Sequence, residues 1–106
     1  MEDLRPHDEN GPIVAAVEQW RRDRAGVLEA EGISLGVEGP FEAPGIDPVY
    51  ILRLERPPVE IHVCVFRGGV LDVTRVNWDD EALEQKGVTV LSAAELGAAL
   101  DRIART

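Results

Sequence analysis

The chain has 106 residues, a formal net charge of −9 at pH 7 and 44% hydrophobic residues, which together predict one folded domain. The acidic balance argues against a protein that binds nucleic acid or an anionic membrane, because phosphate affinity comes mainly from lysine and arginine. One cysteine excludes an internal disulfide framework, no stretch approaches the roughly 20 apolar residues that span a bilayer, and the acidic N-terminus is unlike a signal peptide.

The first residues and the segment after them differ in character. Residues 1–11 carry five charges and show no periodicity, which predicts a flexible acidic tail before a single domain over 12–106. Apolar residues then recur at helical spacing from Ile13 to Leu28, and Gly32 is a suitable residue to end a helix. We predict a helix over 12–31.

The hydrophobic period changes from nearly four to two after this helix. Alternation predicts four strands, which are separated by a loop rich in proline and glycine, by two consecutive prolines and by a glycine turn. The strands are expected over 33–37, 49–55, 59–66 and 70–76.

The last third of the chain predicts two helices. The run WDDEALEQKG (78–87) favours a short helix capped by Asn77 or Asp79, and the short apolar run over 88–91 is a candidate edge strand. Ser92 and Glu95 form a capping box that begins a helix ending near residue 105. This order predicts an α+β two-layer sandwich, with N- and C-terminal helices on one face of an antiparallel sheet of four or five strands.

Few side chains suggest catalysis. His62 shares a strand face with Glu60, and Asp72 lies on the next strand, but a solvated histidine is the simpler interpretation. Cys64 lies two residues from His62, yet no oxyanion site or orienting third group accompanies the pair. The sequence therefore predicts no catalytic residues, no metal site and no cofactor.

One face of the predicted sheet mixes apolar and charged side chains, as protein interfaces do. Trp78, after the fourth strand, is either a core residue or an aromatic anchor among carboxylates. If Tyr50, Leu52 and Leu54 face the helices, the other face carries Val49, Ile51, Arg53, Glu55, Glu60, His62, Cys64, Phe66, Asp72 and Thr74.

Several segments together suggest a family. They are the Trp-Arg-Arg-Asp-Arg helix (20–24), its exit through Glu-Gly-Ile (31–33), four short strands, Trp78, and the closing VTVLSAAELGAAL (88–100). Over about residues 12–104 the chain resembles the TriTu immunity proteins of bacterial polymorphic toxin systems, which are common in actinobacteria. The resemblance implies a cytoplasmic protein that binds a cognate toxin domain and blocks its active site, with no chemistry of its own.

Many such toxins act on anionic substrates, so an acidic inhibitor would fit their basic clefts. We expect Phe66 and Trp78 to anchor the partner. The other expected partner-binding residues are Glu55, Glu60, His62, Asp72, Asp79, Asp80 and Glu81.

Two other functions stay open at this point. One is an adaptor or secretion chaperone that forms a homodimer through the same sheet face and buries Ile51, Cys64 and Phe66. The other is an enzyme that uses His62 with Glu60 or Asp72, which bound zinc or manganese would support.

Overall fold

The computed structural model describes residues 11–41 and 48–105. Residues 1–10 of the tail predicted over 1–11 and residues 42–47 of the predicted loop lie outside the described residues. The tail prediction is wrong at Gly11, which belongs to the first helix. The elements are α1 (Gly11–Ala30), β1 (Ser34–Glu38), β2 (Pro48–Arg56), β3 (Val59–Phe66), β4 (Val70–Asn77), β5 (Ala82–Thr89) and α2 (Ala93–Ala104).

The five strands form one antiparallel sheet in the order β1-β2-β3-β4-β5, so each strand pairs with its neighbour in sequence. Alternate residues of the strands face the two helices, and we call this side the inner face. Leu52, Val63, Val65 and Leu71 on the inner face are fully buried in a core that both helices share. The predicted two-layer α+β fold is confirmed, with five strands in the sheet.

Two details of the core concern Val49 and Trp20. The register between β2 and β3 shifts between Pro48 and Tyr50, and Val49 is buried instead of lying on the other face as strict alternation predicted. Trp20 is a core residue, as the helical spacing predicted, with 4% of its surface exposed. Both residues belong to the same apolar cluster.

The predicted helix over 78–87 is wrong, because this segment forms a turn and the strand β5. The side chain of Asn77 accepts a hydrogen bond from the Asp79 N–H (3.0 Å), and that of Asp80 accepts one from the Ala82 N–H (2.9 Å). These bonds stabilise a turn whose backbone is not helical. Glu81, within this turn, has a positive φ of 57°. Ala82–Thr89 then pairs with the free edge of β4. The hydrogen bonds and packing of this pairing outweigh the preference of Ala82, Glu84, Gln85 and Lys86 for a helix.

The capping box at the start of α2 is present in altered form. The hydroxyl of Ser92 accepts a hydrogen bond from the backbone N–H of Glu95 (3.2 Å), as predicted. The Glu95 carboxylate reaches back to the N–H of Leu91, one residue before the cap. Both bonds fix the angle at which the chain leaves β5 and enters α2.

Asp101 joins the two helices. Its carboxylate accepts a hydrogen bond from the indole Nε1 of Trp20 (2.9 Å) and two from the guanidinium of Arg24 (3.0 and 3.3 Å). The bond with Arg24, supported by the one with Trp20, holds the pKa of Asp101 below its ordinary value.

We expect Asp101→Ala to lower the free energy of unfolding by about 1–2 kcal/mol, because it leaves a buried indole N–H without an acceptor. The pair with Arg24 adds little of this, since 41% of the Arg24 side chain is exposed to solvent. Asp101→Asn, which keeps an acceptor for Trp20, should lose less than Asp101→Ala. Urea unfolding at neutral pH measures both losses.

The same carboxylate predicts a pH dependence. Because its pKa is lower in the folded protein, the unfolded chain binds the proton first as the pH falls. The stabilisation is therefore complete above the ordinary pKa of 3.8 and declines as the pH falls below it. Asp101→Asn should lack this part of the decline, whereas Asp23→Asn, at an exposed position on α1, should keep it. Identical pH profiles for wild type and Asp101→Asn would contradict the role assigned to Asp101.

Candidate functional site

The side of the sheet away from the helices, which we call the open face, carries side chains that are half-buried or exposed. The strand register arranges them in rows across the sheet. The first row is Ser34, Glu55, Glu60, Val76 and Leu83, the second is Gly36, Arg53, His62, Thr74 and Gln85, the third is Glu38, Ile51, Cys64, Asp72 and Gly87, and the last is Phe66, Val70 and Thr89.

Apolar side chains are exposed at the end of the open face nearest the β4–β5 turn. Trp78 and Leu83 expose 63% and 61% of their surface, and Val76 lies directly opposite Leu83. We call these three residues, with Glu55 and Glu60, the Trp78 patch. Of the two interpretations of Trp78, the core position is wrong and the exposed one is correct.

The indole of Trp78 is oriented although it is exposed. Its Nε1 donates a hydrogen bond to Oε2 of Glu60 (3.2 Å), and its backbone N–H donates one to the carbonyl of Pro58 (2.9 Å). The ring is therefore held beside a carboxylate and has less rotational freedom than an exposed side chain without such bonds.

A charge network lies next to the indole on the first two rows. Glu55 and Glu60 lie directly opposite each other, and the Nε of Arg53 is 3.9 and 3.7 Å from their carboxylates. The Nε2 of His62 donates to Oε1 of Glu60 at 2.7 Å. This bond, with the one from Trp78, holds the pKa of Glu60 below its ordinary value, so Glu60 is ionised at neutral pH.

The remaining predicted site residues fall into two groups. Asp79, Asp80 and Glu81 form the β4–β5 turn directly after Trp78, are exposed, and extend its acidic surroundings. Phe66 and Asp72 lie toward the other end of the open face. Phe66 lies six positions from Glu60 along β3, or about 20 Å, whereas Trp78 bonds to Glu60, so the two expected anchors do not form one cluster.

The side chains considered for catalysis are only partly brought together, since His62 bonds to Glu60 and not to Asp72. Burial, with the charge of Asp72 opposite, raises the pKa of Cys64 and so reduces its reactive thiolate. His62 lies opposite Thr74 and not opposite Asp72. Within residues 11–41 and 48–105, no group of three or more His, Cys, Asp or Glu side chains is placed to hold a metal ion.

Three contributors to the site were missed in the list of expected binding residues, namely Val76, Leu83 and Arg53. Alternation along β4 is the signal that places Val76 on the open face with Thr74. Leu83 was missed because its segment favoured a helix, in which it would not lie beside Val76. Arg53 was assigned to this face but not to the binding residues, although it links Glu55 and Glu60. Strict alternation along β2 is the signal that places Arg53 on the open face.

Neither described helix is long and apolar enough to cross a membrane. Comparisons of the chain with protein-family models, curated proteins and solved structures give no match. Its function is therefore inferred from the Trp78 patch and the charges around it.

Proposed function

We propose that this protein is a cytoplasmic immunity protein that binds a bacterial toxin domain through its open face and blocks the toxin's active site, with no chemistry of its own. The observation that carries the proposal is the Trp78 patch, where an exposed but oriented indole lies with Leu83 and Val76 beside carboxylates. Binding hot spots in protein interfaces have this composition, since they are centred on an aromatic side chain and surrounded by polar groups.

The charge around the patch indicates the kind of partner. Glu55 and Glu60 flank it on the sheet, and three consecutive acids, 79–81, follow Trp78 in the turn. Arg53 is engaged with Glu55 and Glu60, so it offsets only part of this negative charge. A basic cleft, such as one that holds a phosphate backbone or another anionic substrate, is complementary to this surface and is steered toward it.

Identification of the partner is the first test. The tagged protein is used to capture its partner from the host lysate at low and high salt, and the captured domain is then expressed alone in bacterial cells. The proposal expects growth arrest that co-expression of the wild-type protein relieves, and no relief by a Trp78→Ala variant of equal abundance. A partner that leaves growth unaffected, or equal relief by the variant, would contradict it.

Reversal of the turn charges tests the electrostatic part. Replacing Asp79 and Glu81 with lysine, while keeping Asp80 because its carboxylate stabilises the turn, should slow association at low salt by about 10- to 100-fold and weaken its salt dependence. The reason is that steering acts mainly on the association rate. Stopped-flow mixing with the captured domain over a range of salt concentrations measures both effects.

The matched control makes the same charge change on α1, at Asp23 and Glu29, which are exposed and lie outside the open face. This control should associate faster than the turn variant and keep a steeper salt dependence. Equal slowing by both variants would mean that net charge, and not the Trp78 end, steers the partner.

The other end of the open face favours a second candidate, a dimeric adaptor or secretion chaperone. Ile51 lies directly opposite Cys64, and Phe66 lies opposite Val70, so the last two rows bring apolar pairs together. A second copy could bury them. If Phe66→Glu converts a dimer into a monomer, this candidate replaces the first.

A further inference from the structure

β5 is a long, accessible strand at one edge of the sheet. It pairs with β4 in a continuous register over Ala82–Thr89, and none of the described strands pairs with its other side. All of its residues except Val88 are exposed. Its segment contains no proline and no bulge, two of the features that prevent a further strand from pairing with an edge. It does carry inward-facing charges, which discourage pairing with any strand that does not present complementary charges.

Two side chains of opposite charge on β5 are not covered by the helices. Glu84 and Lys86 occupy inner-face positions opposite Arg75 and Val73, and both are exposed. Among the described residues neither forms an ion pair, even though Arg75 lies directly across from Glu84. The edge therefore presents one acid and one base, two residues apart.

We infer that β5 pairs with β5 of a second copy of this chain, antiparallel about a two-fold axis at Gln85, so that the two sheets join into one of ten strands. In this register Glu84 of each copy lies opposite Lys86 of the other, and the pair occurs twice by symmetry. Opposite charges directly across an antiparallel pair stabilise it. Gln85 of one copy lies opposite Gln85 of the other, and Leu83 of each copy lies opposite Gly87 of the other.

The neighbouring symmetric registers lack this match. An axis at Glu84 would place the two Glu84 side chains opposite each other, and an axis at Lys86 would do the same with the two lysines. Like charges in these positions are destabilising. A pairing shifted by one residue would place side chains from opposite faces of the sheet across from each other, so it does not compete. Among the registers that keep the faces aligned, the charges favour the one centred on Gln85 over its two neighbours.

Pairing at this edge leaves the open face free, so the inference is independent of the proposed function. It places two Trp78 patches on the same side of the joined sheet. A cavity of about 380 Å³, lined by Val73, Arg75, Glu84, Lys86 and Ile103 among others, lies beside the contact in each copy. Because the contact is a single strand pair, the dimer is small in area and should dissociate on dilution.

Charge exchange tests the register. Sedimentation equilibrium over a concentration series should show the wild type converting from monomer to dimer. Lys86→Glu or Glu84→Lys alone should weaken dimerisation by about tenfold or more, because two attractive pairs become repulsive. The double variant, which carries both changes, should restore it. Arg22→Glu on α1 changes the net charge as Lys86→Glu does and should leave dimerisation unchanged.

A cross-link tests the two-fold axis without destabilising substitutions. Gln85→Cys places two thiols opposite each other and should give a covalent dimer with a short bismaleimide. Thr89→Cys is the matched control, because both variants also contain the native Cys64. The two Thr89→Cys thiols would be roughly 27 Å apart across the strand pair, too far for the same reagent.

Several results would overturn the inference. They are a monomer at every concentration, a double variant as impaired as the single ones, or equal cross-linking of the two cysteine variants. A dimer that Phe66→Glu abolishes and Lys86→Glu does not would assign the contact to the open face instead.

Discussion

The Trp78→Ala variant is expected to bind the toxin domain of the proposed function roughly 30- to 1,000-fold more weakly than the wild type, as removal of an aromatic hot spot does. The indole exposes 63% of its surface in the free protein, so a partner that covers it gains a large apolar contact area. Its bond to Glu60 fixes the ring in advance. Isothermal titration calorimetry with the captured domain measures the loss.

Two companion variants separate binding from folding. Val27→Ala removes an exposed apolar side chain from α1, outside the open face, and should leave affinity unchanged. Leu83→Ala, within the Trp78 patch, should weaken binding by a smaller factor than Trp78→Ala. If Trp78→Ala binds with wild-type affinity while unfolding at the same urea concentration, the patch is not the binding site.

Leu52→Ala is expected to lower the free energy of unfolding by about 3–4 kcal/mol, the middle of the range for leucine in a packed core. Leu52 is fully buried in β2, with Val37 and Val63 directly opposite it on the adjacent strands. The substitution leaves a cavity, and the backbones of β1 and β3 on either side of β2 limit how far the structure can close it. Since small domains are stable by only about 5–15 kcal/mol, this variant should unfold at a much lower urea concentration.

Ile51→Ala is the matched control for this substitution. Ile51 is the preceding residue in the same strand but lies on the open face, where it is half-buried. Its loss should be about 1 kcal/mol, because less apolar surface returns to water and no closed cavity forms. Equal losses for the two variants would contradict the assignment of the two faces.

Local patterns were sufficient to predict part of the fold. β3 has the predicted bounds, 59–66, because its alternation is unbroken and a turn signal stands at each end. The start of α2 was predictable because Ser92 and Glu95 bond to nearby backbone. The apolar stripe of α1 correctly placed Trp20 in the core. The first two features depend on interactions within a few residues, and the third follows from the helical period of apolar residues.

Features that depend on distant contacts were not predictable from those patterns. Residues 82–89 contain helix-forming Ala, Glu, Gln and Lys, and the edge of β4 outweighs that preference. Trp78 begins the turn that connects β4 to β5, so its exposure follows from the pairing of those two strands. The separation of Phe66 from Trp78 required the cross-strand register, which a single sequence does not contain.

The meander order of the sheet has an evolutionary consequence. Every strand is neighboured only by the segments before and after it, and alternate positions contribute to the core and to the open face separately. A lineage can therefore replace Glu55, Thr74 or Leu83 without disturbing Leu52 or Val63. Such a scaffold lets the surface of the open face change while the packed interior stays the same.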